Sequence, residues 1–312
     1  MNWIDKIEKN KSLKELTTWK IGGLADYFAL IESVEELEQA AAWAKSKELP
    51  IFILGGGSNL LISDEGFRGL VLKIANRDLS MAGNKLTVGA GVNLQVAVQA
   101  AIEAGLGGLE WAQGIPGLIG GAVRGNASAY GGETKDCLER VCFFDLSSGE
   151  WQELSAIECQ LTYRSSLFKQ NNNLVIWQAV FALTPAKTVE LRAKALAIAL
   201  KRLARVPSEP SAGSVFQNLL IAELPPSASE LIGRYSEQIK GGKLACGLVI
   251  EELGFKGRGV GGALVSQRHA NIIVNVGQAT AAEVLVLLAQ IKTAAFDRYG
   301  LELIEEVEKV GF

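Results

Sequence analysis

The chain has 312 residues and a formal net charge of −3, from 31 Lys plus Arg against 34 Asp plus Glu. That length suits about two domains with a core that needs no staples. The near-neutral balance excludes the basic footprint of a nucleic-acid binder or of a protein held on an anionic membrane. One histidine excludes a multi-histidine metal site, and no metal is expected. Four cysteines (Cys137, Cys142, Cys159, Cys246) form no C-x-x-C pair and read as reduced thiols of a cytoplasmic protein. The first ten residues carry charges throughout and no apolar h-region, so no signal peptide is expected. Apolar runs are short and broken by glycine, so no membrane helix is expected either.

In chain order, Ser33 to Glu36 fits a capping box that opens an amphipathic helix over 33–48. Residues 51–54 read as a short buried strand that runs into Gly55-Gly56-Gly57-Ser58-Asn59. Strands follow at 70–74 and 86–89, then a helix capped by Asn93 and running through Ala104. Ten glycines fall between Gly105 and Gly132. This stretch is too irregular for collagen and too apolar for a linker, so ordered loop and short turns are expected. Residues 140–145 and 150–154 flank Leu146-Ser147-Ser148-Gly149 as a hairpin, and 174–183 is a further strand. A helix over 188–204 stops before Pro207, and 208–211 reads as a linker at a domain boundary. Beyond it come an apolar run over 241–252 ending in a helix, a buried strand at 271–275, and a second capping box at Thr280–Glu283 opening a long helix to about Tyr299. The alternation of Leu301, Leu303 and Val307 predicts a closing strand, and 219–242 reads as a surface insertion.

Glycine after a strand lets backbone N–H groups approach a phosphate, because no Cβ stands in the way. Gly55-Gly56-Gly57-Ser58-Asn59-Leu60 suits that use, with a tight turn as the alternative. It matches neither G-x-G-x-x-G nor the P-loop pattern. The segment Gly114-Ile115-Pro116-Gly117, Gly120-Gly121 and Asn126-Ala127-Ser128-Ala129-Tyr130-Gly131 makes the same case, with a set of structural turns as the alternative.

Taken together, several motifs resemble the UDP-N-acetylenolpyruvoylglucosamine reductase family, the FAD-dependent reductases of peptidoglycan synthesis. The matching residues begin with Thr18-Trp19-Lys20-Ile21-Gly22-Gly23, Ala25-Asp26-Tyr27-Phe28 and Leu54-Gly55-Gly56-Gly57-Ser58-Asn59-Leu60-Leu61. They continue through Gly108-Leu109-Glu110, Gly114-Ile115-Pro116-Gly117, Tyr163-Arg164-Ser165-Ser166-Leu167-Phe168 and Ala212-Gly213-Ser214-Val215-Phe216. Residues 256–275 and Glu306-Val307 complete a collinear match from about residue 16 to the end, and the modest length resembles the shorter subtype.

The resemblance implies an α/β (α+β) chain with a vanillyl-alcohol-oxidase-like (PCMH-like) FAD-binding fold of two subdomains, 1–75 with 301–312 and 76–207, and a third α/β substrate-binding domain, 208–300. It implies non-covalent FAD held by Gly55, Gly56, Gly57, Ser58, Asn59, Leu60, Gly114, Ile115, Pro116, Gly117, Gly120, Gly121, Asn126, Ala127, Tyr130 and Gly131. It implies NADPH as reductant, UDP-N-acetylenolpyruvoylglucosamine as substrate, and a cytoplasmic monomer. Arg164 matches the family's active-site arginine, whose fixed fork suits a carboxylate gaining charge. Ser214 matches the general acid and Glu306 the catalytic carboxylate. Asn218, Lys256 and His269 match positions that contact the nucleotide sugar. Phe216-Gln217-Asn218-Leu219 departs from the family's Phe-Lys-Asn-Pro. The alternative reading is another FAD-dependent oxidoreductase of the same superfamily acting on a sugar or alcohol. Many of those bind flavin covalently through histidine, and this chain has none before His269.

Overall fold

A computed structural model of the chain describes residues 3–312. It divides into two compact units. The first takes the chain up to Lys11, Ala25–Gly56 and Arg68–Ala204; the second takes Ser12–Leu24, Gly57–Phe67 and Arg205–Phe312.

Two sheets build the first unit. One has four strands in the order Glu8–Ser12, Leu24–Ile31, Phe67–Ile74, Ile51–Leu54, the last pair being parallel. Helix Val34–Ser46 covers it because Ser33 accepts from the Glu36 N–H at 3.3 Å and because Leu37, Ala40 and Ala44 fall on one face. The second sheet has five strands in the order Glu150–Ser155, Leu138–Asp145, Leu174–Ala182, Lys85–Gly89, Leu79–Ala82. Its 146–149 hairpin is closed by the Gly149 N–H on Asp145 O at 2.7 Å, with Gly149 at φ +76°. Helix Leu94–Glu103, capped by Asn93, packs Leu94, Ala97, Val98, Ala101 and Ile102 inward. One core runs through both sheets, from Ile31, Leu70 and Leu72 to Leu86, Val141 and Phe143.

The second unit is built on the sheet Ser211–Ser214, Ile272–Asn275, Ala263–Val265, Gly259–Val260 and on helix Ala281–Tyr299. Val284, Leu287, Leu288 and Ile291 of that helix share a core with Ala263, Val265 and Ile273. Its first turn is capped twice. Thr280 and Glu283 form the capping box, and the Asp64 carboxylate accepts from the N–H groups of Ala281 (2.8 Å) and Ala282 (3.0 Å). Asp64 comes from a segment far away in sequence, as do Trp19, Ile21 and Leu61, which lie in the same core.

Two local expectations change. The closing strand is Glu308–Val310, parallel to Leu60–Ile62, and not the alternating stretch before it. Leu301, Leu303 and Val307 are buried as their alternation requires. Alternation reports burial rather than a continuous ladder: before Glu308 the tail makes only an isolated antiparallel bridge, Glu305 with Phe216, and the ladder begins at Glu308. The 219–242 segment is not a surface insertion. Leu219, Ala228 and Leu231 are core residues, and the segment folds as one-turn helices too short to show a helical period. Strand Leu24–Ile31 carries its neighbour pairing where the sequence showed only a motif. Among the described residues no helix is long and apolar enough to cross a membrane.

Candidate active site

Strand Ile51–Leu54 ends in Gly55-Gly56-Gly57. A Cβ on Gly56 would lie 2.8 Å from the Cα of Gly117, so the two glycine-rich segments meet backbone to backbone. A Cβ on Gly120 would touch that of Ala90 at 3.0 Å. Gly55, Gly121 and Gly131 differ: a Cβ there would meet nothing within 4 Å. Gly131 is accounted for by its backbone, at φ +87°, but the fold does not require glycine at Gly55 or Gly121. What these two leave is bare backbone, the form of a cradle for a phosphate-bearing cofactor.

The second glycine segment is held by a residue the sequence did not single out. Gln95, on helix Leu94–Glu103, donates to Ala112 O (3.0 Å) and Ile115 O (2.8 Å) and accepts from the Gly114 N–H (2.6 Å). Nothing in a lone glutamine on a helix signals this, because its partners lie on a separate loop. Asn126 is fully buried at φ +40°. It donates to Glu133 (2.9 Å) and Thr162 O (2.8 Å) and accepts from the Lys135 N–H (3.1 Å), so its amide holds chain to chain. Ala127 O accepts from both the N–H and the hydroxyl of Thr134. Tyr130 is exposed at φ +51°, and its hydroxyl is hydrogen-bonded by the half-buried Arg202.

Arg164 sits on a turn of the same unit at φ +57°, a left-handed conformation that costs a non-glycine residue about 1–2 kcal/mol. Its Nη1 donates to Ser128 Oγ at 3.1 Å, and its carbonyl accepts from Lys169 Nζ at 3.1 Å. The turn is closed by Thr162 and Ser165, and Ser166 anchors it to Arg124 O at 2.7 Å. Strain concentrated in a pinned turn is common where one side chain must be aimed.

Ser214 and Glu306 lie on adjoining segments of the second unit. Strand Ser211–Ser214 pairs Ser211 with Val274 and Ser214 with Ile272, leaving a bulge at Ala212-Gly213 with Gly213 at φ +74°. A bulge re-aims the side chain that follows it. The Glu306 N–H donates to Val215 O at 2.8 Å, and the Gln217 N–H to Ile304 O at 2.9 Å, so the tail runs beside the serine's strand end. Asn59 joins the same group: its Nδ2 donates to Glu306 O at 2.9 Å. Thr18 binds Gly57 O through its N–H (3.0 Å) and Ser211 O through its hydroxyl (2.7 Å). Two of the four glutamates of the tail, Glu302 and Glu305, are set apart. Glu302 is exposed. Glu305 pairs with Lys292 (3.1 Å) and Lys309 (3.0 Å). Burial pushes its carboxyl up, but the two lysines outweigh that and hold it below the ordinary range.

Asn218 and His269 lie at the start of helix Cys246–Glu252, and Lys256 lies just beyond its other end. Asn218 Oδ1 accepts from the Cys246 N–H at 3.3 Å, and His269 lies against Gly247. Lys256 Nζ pairs with Glu251 at 2.7 Å. Burial, reinforced by Arg205 and Lys256, pushes the His269 pKa down, so the ring is neutral at pH 7. Asn271 connects this cluster to Ser214 and escaped sequence reasoning. Its N–H donates to His269 Nδ1 (3.3 Å), its carbonyl accepts from Val215 (2.8 Å), and its amide exchanges two hydrogen bonds with Phe216 (3.0 and 2.8 Å).

The FAD binding domain family matches residues 25–155, and the C-terminal domain of UDP-N-acetylenolpyruvoylglucosamine reductase matches residues 205–310. The reductase of that name from Syntrophomonas wolfei is 39% identical over 98% of this chain and 96% of its own. The chain belongs to the UDP-N-acetylenolpyruvoylglucosamine reductase family. The Prochlorococcus marinus reductase is 40% identical over 96% of this chain. The crystal structure of the reductase from Thermus caldophilus superposes with a TM-score of 0.79 at 33% identity, covering 97% of this chain and 98% of that one. The mixed α/β architecture is therefore that of an FAD-dependent reductase of this family, and the bare backbone at Gly55 and Gly121 suits the cofactor of the FAD binding domain.

Proposed function

We infer that the protein reduces UDP-N-acetylenolpyruvoylglucosamine to UDP-N-acetylmuramate with NADPH, as a step of peptidoglycan precursor synthesis. The observation that carries the reading is the tail hydrogen bond from the Glu306 N–H to Val215 O at 2.8 Å, one residue beyond Ser214. Bound FAD supplies the hydride chemistry. Reduction of the enolpyruvyl double bond also needs a proton at the carbon bearing the carboxylate, and the chain's own residues answer for that proton. Ser214, aimed by the Gly213 bulge, is the proton donor. Glu306, when it carries a proton, donates a hydrogen bond to the enolate as it forms, and Arg164 holds the substrate carboxylate through its planar fork. Lys256, His269 and Asn218 receive the nucleotide sugar's diphosphate side, where a cation beside a neutral imidazole suits an anionic ligand.

Residues 1–207 with the C-terminal strand would then serve the flavin, through the glycine segments together with Ser58, Asn59 and Leu60, and residues 208–300 the nucleotide sugar. A cytoplasmic setting accords with four free cysteines, three of them buried. The test separates the two half-reactions. In anaerobic stopped-flow, Ser214→Ala is expected to keep bleaching of the flavin absorbance by NADPH and to lose re-oxidation by the enolpyruvyl substrate. Unchanged re-oxidation would remove Ser214 from the mechanism.

A further inference from the structure

Lys73 carries a charge that the fold leaves unanswered. It lies near the end of strand Phe67–Ile74, in register with Leu54 of the parallel strand Ile51–Leu54, and this is the last pair of their ladder. The residue after Leu54 is Gly55, where a Cβ would meet nothing within 4 Å. Leu70, Leu72 and Ile74 belong to the core of the first unit. Alternation along the strand therefore puts Lys73 on the other face, with the fully buried Val71 and Leu54. Lys73 itself is half-buried, and among the described residues no carboxylate pairs with its ammonium. Burial first, and then the like-signed Arg77, push its pKa down. A lysine taken this far out of water ordinarily has an acid for a partner. Here the chain supplies a second cation instead.

The strand end is also fixed in place. The buried Asn76 donates to Trp177 O at 3.1 Å, and its carbonyl accepts from the Gly91 N–H at 2.9 Å. A Cβ on Gly91 would lie 2.7 Å from Ile74 O, so backbone packs on backbone there. From the same turn, Ala90 O accepts from the Gly120 N–H at 3.0 Å. The end of this strand is thus tied on one side to the strand that runs into Gly55, and on the other, through residues 89–91, to the second glycine segment.

We propose that Lys73 binds the diphosphate of FAD and supplies the full positive charge that glycine backbone lacks. The inference rests on the FAD-binding reading of the glycine segments. Ligands of parallel strands lie outside their carboxyl ends, which is where Leu54 and Lys73 stand side by side. Backbone N–H groups contribute partial charges only. An ammonium adds a compact unit charge with three donors, which suits a phosphate better than a flat flavin ring. In the apoprotein the desolvated charge costs stability; a bound diphosphate answers it.

The test uses the full chain freed of flavin. Fluorescence titration with FAD, and with riboflavin, which lacks the diphosphate, is combined with thermal melting of the apoprotein. Lys73→Met is expected to weaken FAD binding about 10- to 100-fold, the loss of one charge-assisted hydrogen bond. It should leave the weaker riboflavin binding unchanged and raise the apoprotein melting temperature. Lys73→Arg keeps the charge and should recover most of the FAD affinity. Unchanged FAD binding in Lys73→Met would overturn the proposal. So would equal losses for FAD and riboflavin, which would put Lys73 away from the diphosphate, or a lower apoprotein melting temperature, which would make its role structural. A wild type that takes up no FAD would overturn the cofactor reading, and the proposal with it.

Discussion

The side-chain amide of Asn59 donates to the main-chain carbonyl of Glu306 at 2.9 Å, and the main-chain carbonyl of Asn59 accepts from the N–H of Glu308 at 3.0 Å. A residue expected to face the flavin thus fastens the tail that carries Glu306, the proposed catalytic carboxylate. Asn59→Ala removes the first bond and leaves the second. Displacing a catalytic group by about 1 Å can cost about 100-fold. Asn59→Ala should therefore slow re-oxidation by the enolpyruvyl substrate by up to about that factor. Flavin reduction by NADPH should persist, and single-turnover stopped-flow reads both steps.

Gly55 and Gly56 are neighbours with different duties. A Cβ on Gly56 would drive into the Cα of Gly117, so Gly56→Ala should destabilise the apoprotein by about 1–3 kcal/mol. A Cβ on Gly55 meets nothing of the chain, so Gly55→Ala should leave the apoprotein melting temperature unchanged and weaken FAD binding. Thermal melting of apoprotein and flavin fluorescence titration distinguish the two. Loss of stability in Gly55→Ala with full FAD affinity would remove this residue from the cofactor cradle.

Gln95 supplies three hydrogen bonds to the loop at 112–115. Gln95→Leu fills similar volume but leaves those groups unanswered, at a cost of about 1–3 kcal/mol for each group left without water or another partner. Faster FAD release, measured by dialysis or by the rise of free-flavin fluorescence on dilution, is the expected result.

His269 is held below its ordinary pKa of 6.5, chiefly by burial and then by Arg205 and Lys256. The unfolded chain therefore binds the proton more readily than the folded one. Stability contributed by this residue is present above the unfolded pKa and declines as pH falls below about 6.5, toward the lower folded value. Urea unfolding at pH 7.5 and pH 5.5 should show a smaller loss for His269→Gln than for the wild type. An equal loss in both would show that other groups carry the dependence.

Asp64 accepts from two N–H groups in the first turn of helix Ala281–Tyr299, where a carboxylate also meets the positive end of the helix dipole. Asp64→Ala should cost about 1–2 kcal/mol by chemical denaturation, with FAD content unchanged.

Much of the local structure was legible in the sequence, because its causes lie within a turn or two of chain. Ser33, Asn93 and Thr280 each accept from an N–H two or three residues on, and the helices they open begin where expected. A glycine run after a short apolar strand, and motifs in collinear order, were enough to point to a flavin reductase. Tertiary structure decided everything that depends on a partner far along the chain. It set Gly56 against Gly117 and gave Gln95 and Asn271 their roles. It spent the carboxylate of Glu305 on Lys292 and Lys309, brought Glu306 beside the serine's strand end, and moved the closing strand to the residues that have Leu60–Ile62 to pair with. A side chain's type is written in the sequence. Whether its hydrogen-bonding capacity goes to the fold or to a ligand depends on which backbone groups lie about 3 Å away, and only the folded chain determines that.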